Sequence, residues 1–176
     1  ITCIYLDDEK NIWFCTEGYQ YLYNGDTQKT HKISQKIPGK VTCITQAKGN
    51  KYFISTEQFL YSAVLNKGQL TNVQRINIST INIIDYIYYH KPTNKLIINA
   101  LLDKLFIYTP DSGESIDLGK HLKDIGVNTI TPNRKNLDEV FIATDGDGVY
   151  KLDVRKKELS HFLKEDNESF NKMNGS

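Results

Sequence analysis

The sequence predicts an all-β fold made of repeats, on three observations. Residues 1–23 (ITCIYLDDEKNIWFCTEGYQYLY), 41–61 (VTCITQAKGNKYFISTEQFLY) and 127–150 (VNTITPNRKNLDEVFIATDGDGVY) are near copies, and 83–108 keeps the same layout in more worn form. The copies recur at about forty residues, the signature of one supersecondary unit repeated along a radial or quasi-linear array. Eleven Tyr and abundant Ile stand beside a single Met, and β-branched and aromatic side chains fit a pleated surface. No long amphipathic stretch with helix caps interrupts the copies; only residues 118–125 offer a turn or two of helix, and they read better as a connection between units.

Within the first copy, residues 1–6 alternate as a strand and Asp7, Asp8, Glu9, Lys10 and Asn11 form a polar reversal. Residues 12–16 follow as a short apolar strand expected to be buried on both faces. Glu17, Gly18, Tyr19 and Gln20 turn the chain, residues 21–23 make a third strand, Asn24-Gly25-Asp26 signals a hairpin, and residues 30–33 supply the fourth strand. The second copy places strands at 41–46, 52–56, 59–63 and 72–76. The third places them at 83–89, 95–100, 104–108 and 115–118, and the fourth at 127–131, 140–144, 149–153 and 159–162.

A four-stranded meander repeated at this period is the blade of a β-propeller, in which sheets pack radially. The expected units are residues 1–36, 37–77, 78–122 and 123–165, with 166–176 a linker toward a further blade. Four blades are fewer than most such rings use, so the fold expected is a propeller fragment of four antiparallel blades forming an incomplete ring. Its open apolar faces would be covered by self-association or by the rest of a longer chain. The chain begins inside a repeat at Ile1, as an excised piece of something longer would.

Composition narrows the function classes. Formal net charge is +1, from 22 Lys/Arg and 21 Asp/Glu, so there is no basic field to attract nucleic acid or an anionic membrane. The sequence has neither a run of apolar residues long enough to span a bilayer nor a leader pattern, so any membrane attachment is expected from outside it. Cys3, Cys15 and Cys43 lack zinc or redox spacing. Cys3 and Cys43 fall at matching places in two copies, beyond the expected reach of a disulfide, and read as buried thiols acting as small apolar residues.

The run Ile1-Thr2-Cys3-Ile4, then Asp8-Glu9-Lys10-Asn11-Ile12-Trp13-Phe14-Cys15-Thr16-Glu17-Gly18, resembles the two-component regulator propeller repeat, whose usual form is V-T-x-I-x-x-D-x-x-G-x-I-W-I-G-T-x-x-G-G-L-Y-x-Y. Residues 144–153 match its second half. Departures are Lys10 where the family favours Gly, Cys15 for Gly, and the loss of the Thr and Gly pair at 100–103; these bear on loop shape more than on fold. The resemblance implies an extracytoplasmic, periplasmic sensor region of a hybrid two-component histidine kinase. Such propellers sense glycan fragments, and an immunoglobulin-like domain couples them to a transmembrane kinase. No kinase machinery lies in this chain, so no phosphotransfer is expected of it.

The acidic positions Glu17, Glu57 and Asp145 each follow the second strand's Thr and would share one face, where they suit a hydroxyl-rich ligand. Tyr19 and Phe59 could stack on a sugar ring, and Asp147 completes the candidate set. The alternative is that these are turn residues, with Thr and carboxylate groups bonding nearby backbone N–H groups, as repetition in every blade would suggest. Asp145-Gly146-Asp147-Gly148 lacks the spacing of a calcium loop and reads as a glycine-rich turn. Trp13 reads as core, and His31, His90, His121 and His161 as solvated surface. For a glycosidase, Asp7, Asp8 and Glu9 are the densest acids, but they lie in a reversal expected to be solvated. No nucleophile or phosphate-loop motif occurs. The expected function is oligosaccharide sensing without catalysis or cofactor; a purely structural or dimerising segment and a carbohydrate-active enzyme are the alternatives. Because shared residues explain folding, ligand contacts are sought where the copies disagree, as at Tyr19-Gln20, Gln58-Phe59, Leu101-Leu102 and Gly146-Asp147.

Overall fold

The structure is a computed structural model that describes residues 1–78, 83–100, 104–118 and 126–163. Its strands form four antiparallel sheets, each in sequential order. Blade 1 holds β1 (Cys3–Leu6), β2 (Asn11–Cys15), β3 (Gln20–Asn24) and β4 (Lys29–Lys32). Blade 2 holds β5 (Val41–Gln46), β6 (Lys51–Thr56), β7 (Leu60–Asn66) and β8 (Gln69–Ile76). Blade 3 holds β9 (Ile84–His90), β10 (Lys95–Ala100), β11 (Lys104–Thr109) and β12 (Glu114–Asp117). Blade 4 holds β13 (Val127–Pro132), β14 (Glu139–Thr144), β15 (Val149–Asp153) and β16 (Glu158–Leu163). The all-β propeller architecture read from the repeats is thus the architecture of the chain. Residues 119–125 of the expected connection, with His121, the pair Leu101-Leu102 and the linker at 166–176, lie outside the described residues.

Strands β7 and β8 run longer than the alternation indicates because a two-residue turn joins them. Lys67 and Gly68 both take positive φ, 48° and 75°, the type I′ geometry that matches strand twist. At the first reversal, the N–H of Lys10 bonds the carbonyl of Asp7 and the N–H of Asp7 bonds the carbonyl of Asn11. Lys10 sits at φ 62°, so the loop keeps the backbone that glycine would take there, with a lysine held in the left-handed region.

The innermost strands of blades 2, 3 and 4 each bulge at one place. The register shifts between Val41 and Cys43, between Ile84 and Tyr86, and between Val127 and Thr129. In blade 1 the N–H of Thr2 bonds the carbonyl of Cys15 while Cys3 is the register partner of Cys15. One extra residue bends the strand and increases its twist locally. Beyond the bulge the four strands are in equivalent register, which sets Ile4, Ile44, Ile87 and Ile130 at one position and Tyr5, Thr45, Tyr88 and Thr131 at the next.

Three cores join the blades. Trp13 and Leu22 of blade 1 pack with Tyr52, Ile54 and Tyr61 of blade 2. Phe53 and Leu60 pack with Ile87, Leu96 and Phe106 of blade 3. Ile97, Leu105 and Ile107 on the other face of blade 3 pack with Val140, Ile142 and Leu152 of blade 4. Among the described residues no core joins blade 4 to blade 1. Strand burial follows: β6 and β10, in the middle blades, are buried on both faces, whereas β2 and β14 bury alternate residues only. The expectation that residues 12–16 are buried on both faces is therefore corrected. Trp13 and Cys15 face blade 2, while Ile12 and Phe14 are half-buried because, among the described residues, no sheet covers that side.

The reversal at Asp7, Asp8 and Glu9 is not wholly solvated either. Asp7 is 4% exposed, and its carboxylate accepts from the Asn11 backbone N–H at 2.8 Å, Asn11 Nδ2 at 3.0 Å, Trp13 Nε1 at 3.2 Å and the Tyr52 hydroxyl at 2.8 Å. The last bond crosses to blade 2, and the Trp13 and Tyr52 rings lie 5.1 Å apart. Replacing Asp7 by Ala strands buried donors at about 1–3 kcal/mol each. Urea denaturation is expected to show a loss of about 3 kcal/mol or more for Asp7→Ala and about 1 kcal/mol for Tyr52→Phe; equal stability of Asp7→Ala and the parent chain would contradict this role. Lys10→Gly is expected to raise stability by about 1 kcal/mol in the same titration, through release of left-handed strain.

Candidate functional site

In blade 1, the Tyr19 N–H bonds Thr16 Oγ1 at 3.2 Å and the Thr16 N–H bonds the Tyr19 carbonyl at 2.9 Å. Thr56 closes the same loop with Phe59, and Thr144 with the carbonyl of Gly148. The threonines are turn latches, and Glu17, Glu57 and Asp145 project from the turns as exposed carboxylates. Glu57 pairs with Lys40 at 3.1 Å. Lys40 and Glu17 share an open depression with Ile1 and Gly18; Asp145 and Asp147 do not line it.

The two candidate aromatic platforms already carry cations. Lys32 Nζ lies 3.3 Å from the centre of the Tyr19 ring, and the Arg75 guanidinium 3.6 Å from that of Phe59. Such contacts stabilise by about 0.5–1 kcal/mol at exposed sites, so a stacking ligand would first displace them. Asp147 accepts from the Tyr150 hydroxyl and lies 3.0 Å from His161 Nε2. Burial, with the neighbouring Asp147 carboxylate second, pushes the Tyr150 phenol up to about 12. Gly146 and Gly148 take φ of 88° and 75°, as a glycine-rich turn requires. Gln20, beside Tyr19, is buried with its Oε1 lacking a partner among the described residues.

A more enclosed cavity lies elsewhere, on the axis where the innermost strands of all four blades converge. It has a volume of about 660 Å³, within the range of roughly 300–1,000 Å³ typical of small-molecule sites. Cys3 and Tyr5, Cys43 and Thr45, and Tyr86 and Tyr88 line it on three sides, and Ile130 of blade 4 on the fourth. Lys91, Pro92, Pro132 and Leu137 stand at the end toward the first reversal of each blade. This is the opposite end of the strands from Glu17, Glu57 and Asp145.

Polar groups inside the cavity are neutral. The Tyr5 hydroxyl accepts from the Gln46 N–H at 2.9 Å and keeps its own proton to donate. Thr45 Oγ1 accepts from the Tyr89 N–H at 3.2 Å. Burial raises the Tyr5, Tyr86 and Tyr88 phenols above their ordinary value. His90, read from sequence as surface, is 1% exposed, bonds Thr93 Oγ1 through Nδ1 at 2.7 Å, and is held below the usual imidazole value by burial. Burial likewise pushes Cys43 up to about 12. The cross-strand Cys15 thiol is raised and Cys3 lowered by the bond between them. Cys3 is only half-buried, a correction to its reading as a core thiol, because one side of β1 faces the cavity.

At the mouth, Asp8 and Lys91 form an ion pair between blades 1 and 3. Gln46 of blade 2 takes the Asp8 N–H on its Oε1 at 2.7 Å and donates to Glu9 at 2.7 Å. Each acid weighed as a glycosidase carboxylate is therefore engaged in a structural bond. Among the described residues no group of three or more His, Cys, Asp or Glu is placed to hold a metal, and no helix is long and apolar enough to cross a membrane.

The molecule is a β-propeller segment, and comparisons with known proteins carry the class further. The family profile described as two component regulator propeller matches residues 1–18, the stretch that holds the Asp7 reversal and the first Thr latch. No curated protein matches the chain in sequence. Among solved structures, the extracellular domain of a B. thetaiotaomicron protein described as a one component system superposes with a TM-score of 0.71 at 18% identity, over 95% of this chain and 22% of that one. A luciferin-regenerating enzyme superposes with a TM-score of 0.65 at 14% identity, over 90% of this chain and 57% of that one. At these identities the likeness is one of fold, and this chain spans less than two thirds of either protein.

Two measurements follow from the titrating groups. Because the folded His90 has a depressed pKa, the unfolded chain binds more protons below about pH 6.5. Stability is expected to be full above that pH and to fall as pH drops toward about 5. His90→Gln is expected to flatten this part of the profile, and a parent profile level from pH 7 to 5 would contradict it. At about pH 8.5, near the ordinary thiol pKa, iodoacetamide is expected to modify Cys3 first and to leave Cys15 and Cys43 largely unreacted in the folded chain, as read by peptide mass spectrometry.

Proposed function

We propose that this chain is a ligand-recognition segment of an extracytoplasmic sensor of the two-component type, that its ligand is an oligosaccharide, and that it binds without turnover. The match of its first blade to the two component regulator propeller supports the class, and the shared fold of an extracellular domain supports placement outside the cytoplasm. In this reading a periplasmic propeller relays occupancy to a transmembrane histidine kinase carried by the rest of the parent protein. The rim formed by Glu17, Tyr19, Glu57 and Phe59, with Asp145 and Asp147 further round, supplies hydroxyl-binding carboxylates and ring faces for a glycan laid across the turns.

A second reading, a structural or dimerising segment, is favoured by the open ends. Ile4 and Leu6 on blade 1 are 61% and 63% exposed, and Phe162 on blade 4 is 53% exposed, so each end offers apolar surface to another sheet. Calorimetry of the ectodomain containing this chain against neutral and acidic oligosaccharides separates the two. Saturable heat with at least one oligosaccharide is expected. No heat with any of them, together with a concentration-dependent dimer in sedimentation, would replace the sensor reading with the second.

A further inference from the structure

We propose that the axial cavity is a binding site for an uncharged, hydroxyl-bearing ring, reached from the end marked by the Asp8–Lys91 ion pair and distinct from the Glu17 and Glu57 rim. This rests on the sensor reading only for the wider role of the ligand; the site itself stands on its lining. Tyr5, Tyr86 and Tyr88 bring three phenols to one chamber from two blades. Tyr5 has already filled an acceptor position with the Gln46 N–H, so it offers a donor. The Tyr86 hydroxyl is held by hydrogen bonds to the Thr129 side chain and the Ile130 backbone, whereas the Tyr88 hydroxyl has no hydrogen-bond partner among the described residues although its ring is half-buried. Phenols suit ring-bearing polyols because each gives an apolar face for C–H groups and a hydroxyl that donates or accepts.

Charge selects the ligand class. Among the described residues no Asp or Glu lines the cavity, and its cation Lys91 is neutralised by Asp8 at the mouth. A charged ligand would lose its hydration with no opposite charge to meet, whereas a neutral polyol exchanges water for phenol, thiol and threonine groups. The apolar floor from Ile44, Ile87 and Ile130 favours a ring over a linear polyol.

Calorimetry and saturation-transfer NMR on the full chain test this, with maltose, cellobiose, xylobiose and myo-inositol as neutral probes and digalacturonate as the charged one. At least one neutral probe is expected to bind, to weaken by about 2–10-fold in Tyr86→Phe and in Tyr88→Phe through loss of one hydrogen bond each, and to be unchanged in Glu17→Gln. Both Tyr→Phe changes keep the ring, and thermal melts confirm that the variants fold. Saccharide binding lost in Glu17→Gln but kept in both Tyr variants would overturn the cavity site and leave the sensor reading standing. Tyr-dependent binding of inositol with no saccharide binding would keep the cavity site and remove the oligosaccharide. Preference for digalacturonate, or no binding of any probe at millimolar concentration, would overturn the proposal.

Discussion

The carboxylate of Asp7 holds together the first joint of this molecule. A buried charge is costly unless its hydrogen bonds are filled, and here four donors fill them: two from Asn11, the Trp13 indole and the Tyr52 hydroxyl. One side chain thereby fixes the hairpin between β1 and β2, the rotamer of the largest residue in blade 1, and the angle at which blade 2 leans against it. The equivalent positions in the other blades hold Ala47, His90 and Asn133. Those joints rely on apolar packing, with the Cys43 thiol on the Ile87 carbonyl and Thr42 on the Ile84 carbonyl between blades 2 and 3.

The shared register of the innermost strands, reached past a bulge in blades 2, 3 and 4, sets how those joints face. Past the bulge, Ile44 packs toward blade 1, Ile87 toward blade 2 and Ile130 toward blade 3. Ile4 occupies the same position in blade 1, finds no sheet on that side, and is exposed. An exposed isoleucine at a site that is core in three other blades identifies the open face of the arc more directly than exposure alone. It also explains why burial on both faces is confined to the two middle blades: a sheet that reads as apolar in sequence is buried only as far as it has neighbours.

Much of this fold was legible in the sequence. Alternation and turn residues located the strands to within a residue or two, except where the type I′ turn at Lys67 and Gly68 lengthened β7 and β8. Register and bulges were not legible, since an extra residue in a strand leaves no mark on composition. The burial of Asp7 and His90 was misread for a common reason. Polar residues at a reversal are normally solvated, and only the partners brought by other strands, Tyr52 for Asp7 and the axial crowding around His90, remove them from water. Lys10 shows the converse: a departure from the glycine of the repeat left the loop shape intact, because the surrounding hydrogen bonds hold a lysine in the left-handed region.

The candidate site divides along the same line. The acidic turn residues stood out in sequence because they repeat, and repetition reflected their Thr latches. The axial cavity was hidden in the same repeat. Its lining pairs in blades 1 to 3, Cys3 and Tyr5, Cys43 and Thr45, and Tyr86 and Tyr88, flank the isoleucine that every copy keeps. The isoleucine packs toward the preceding blade, whereas the flanking side chains lie against the following blade and reach the axis as well. Aligning the copies on the isoleucine would have exposed these positions, and the worn third copy, which replaces Cys and Thr with Tyr86 and Tyr88, is the one that departs furthest from its siblings at the axis. Divergence there changes the chemistry of the cavity together with the contact to the following blade, so within a repeat fold the variable neighbours of a constant core residue are where recognition can be built as each joint is repacked.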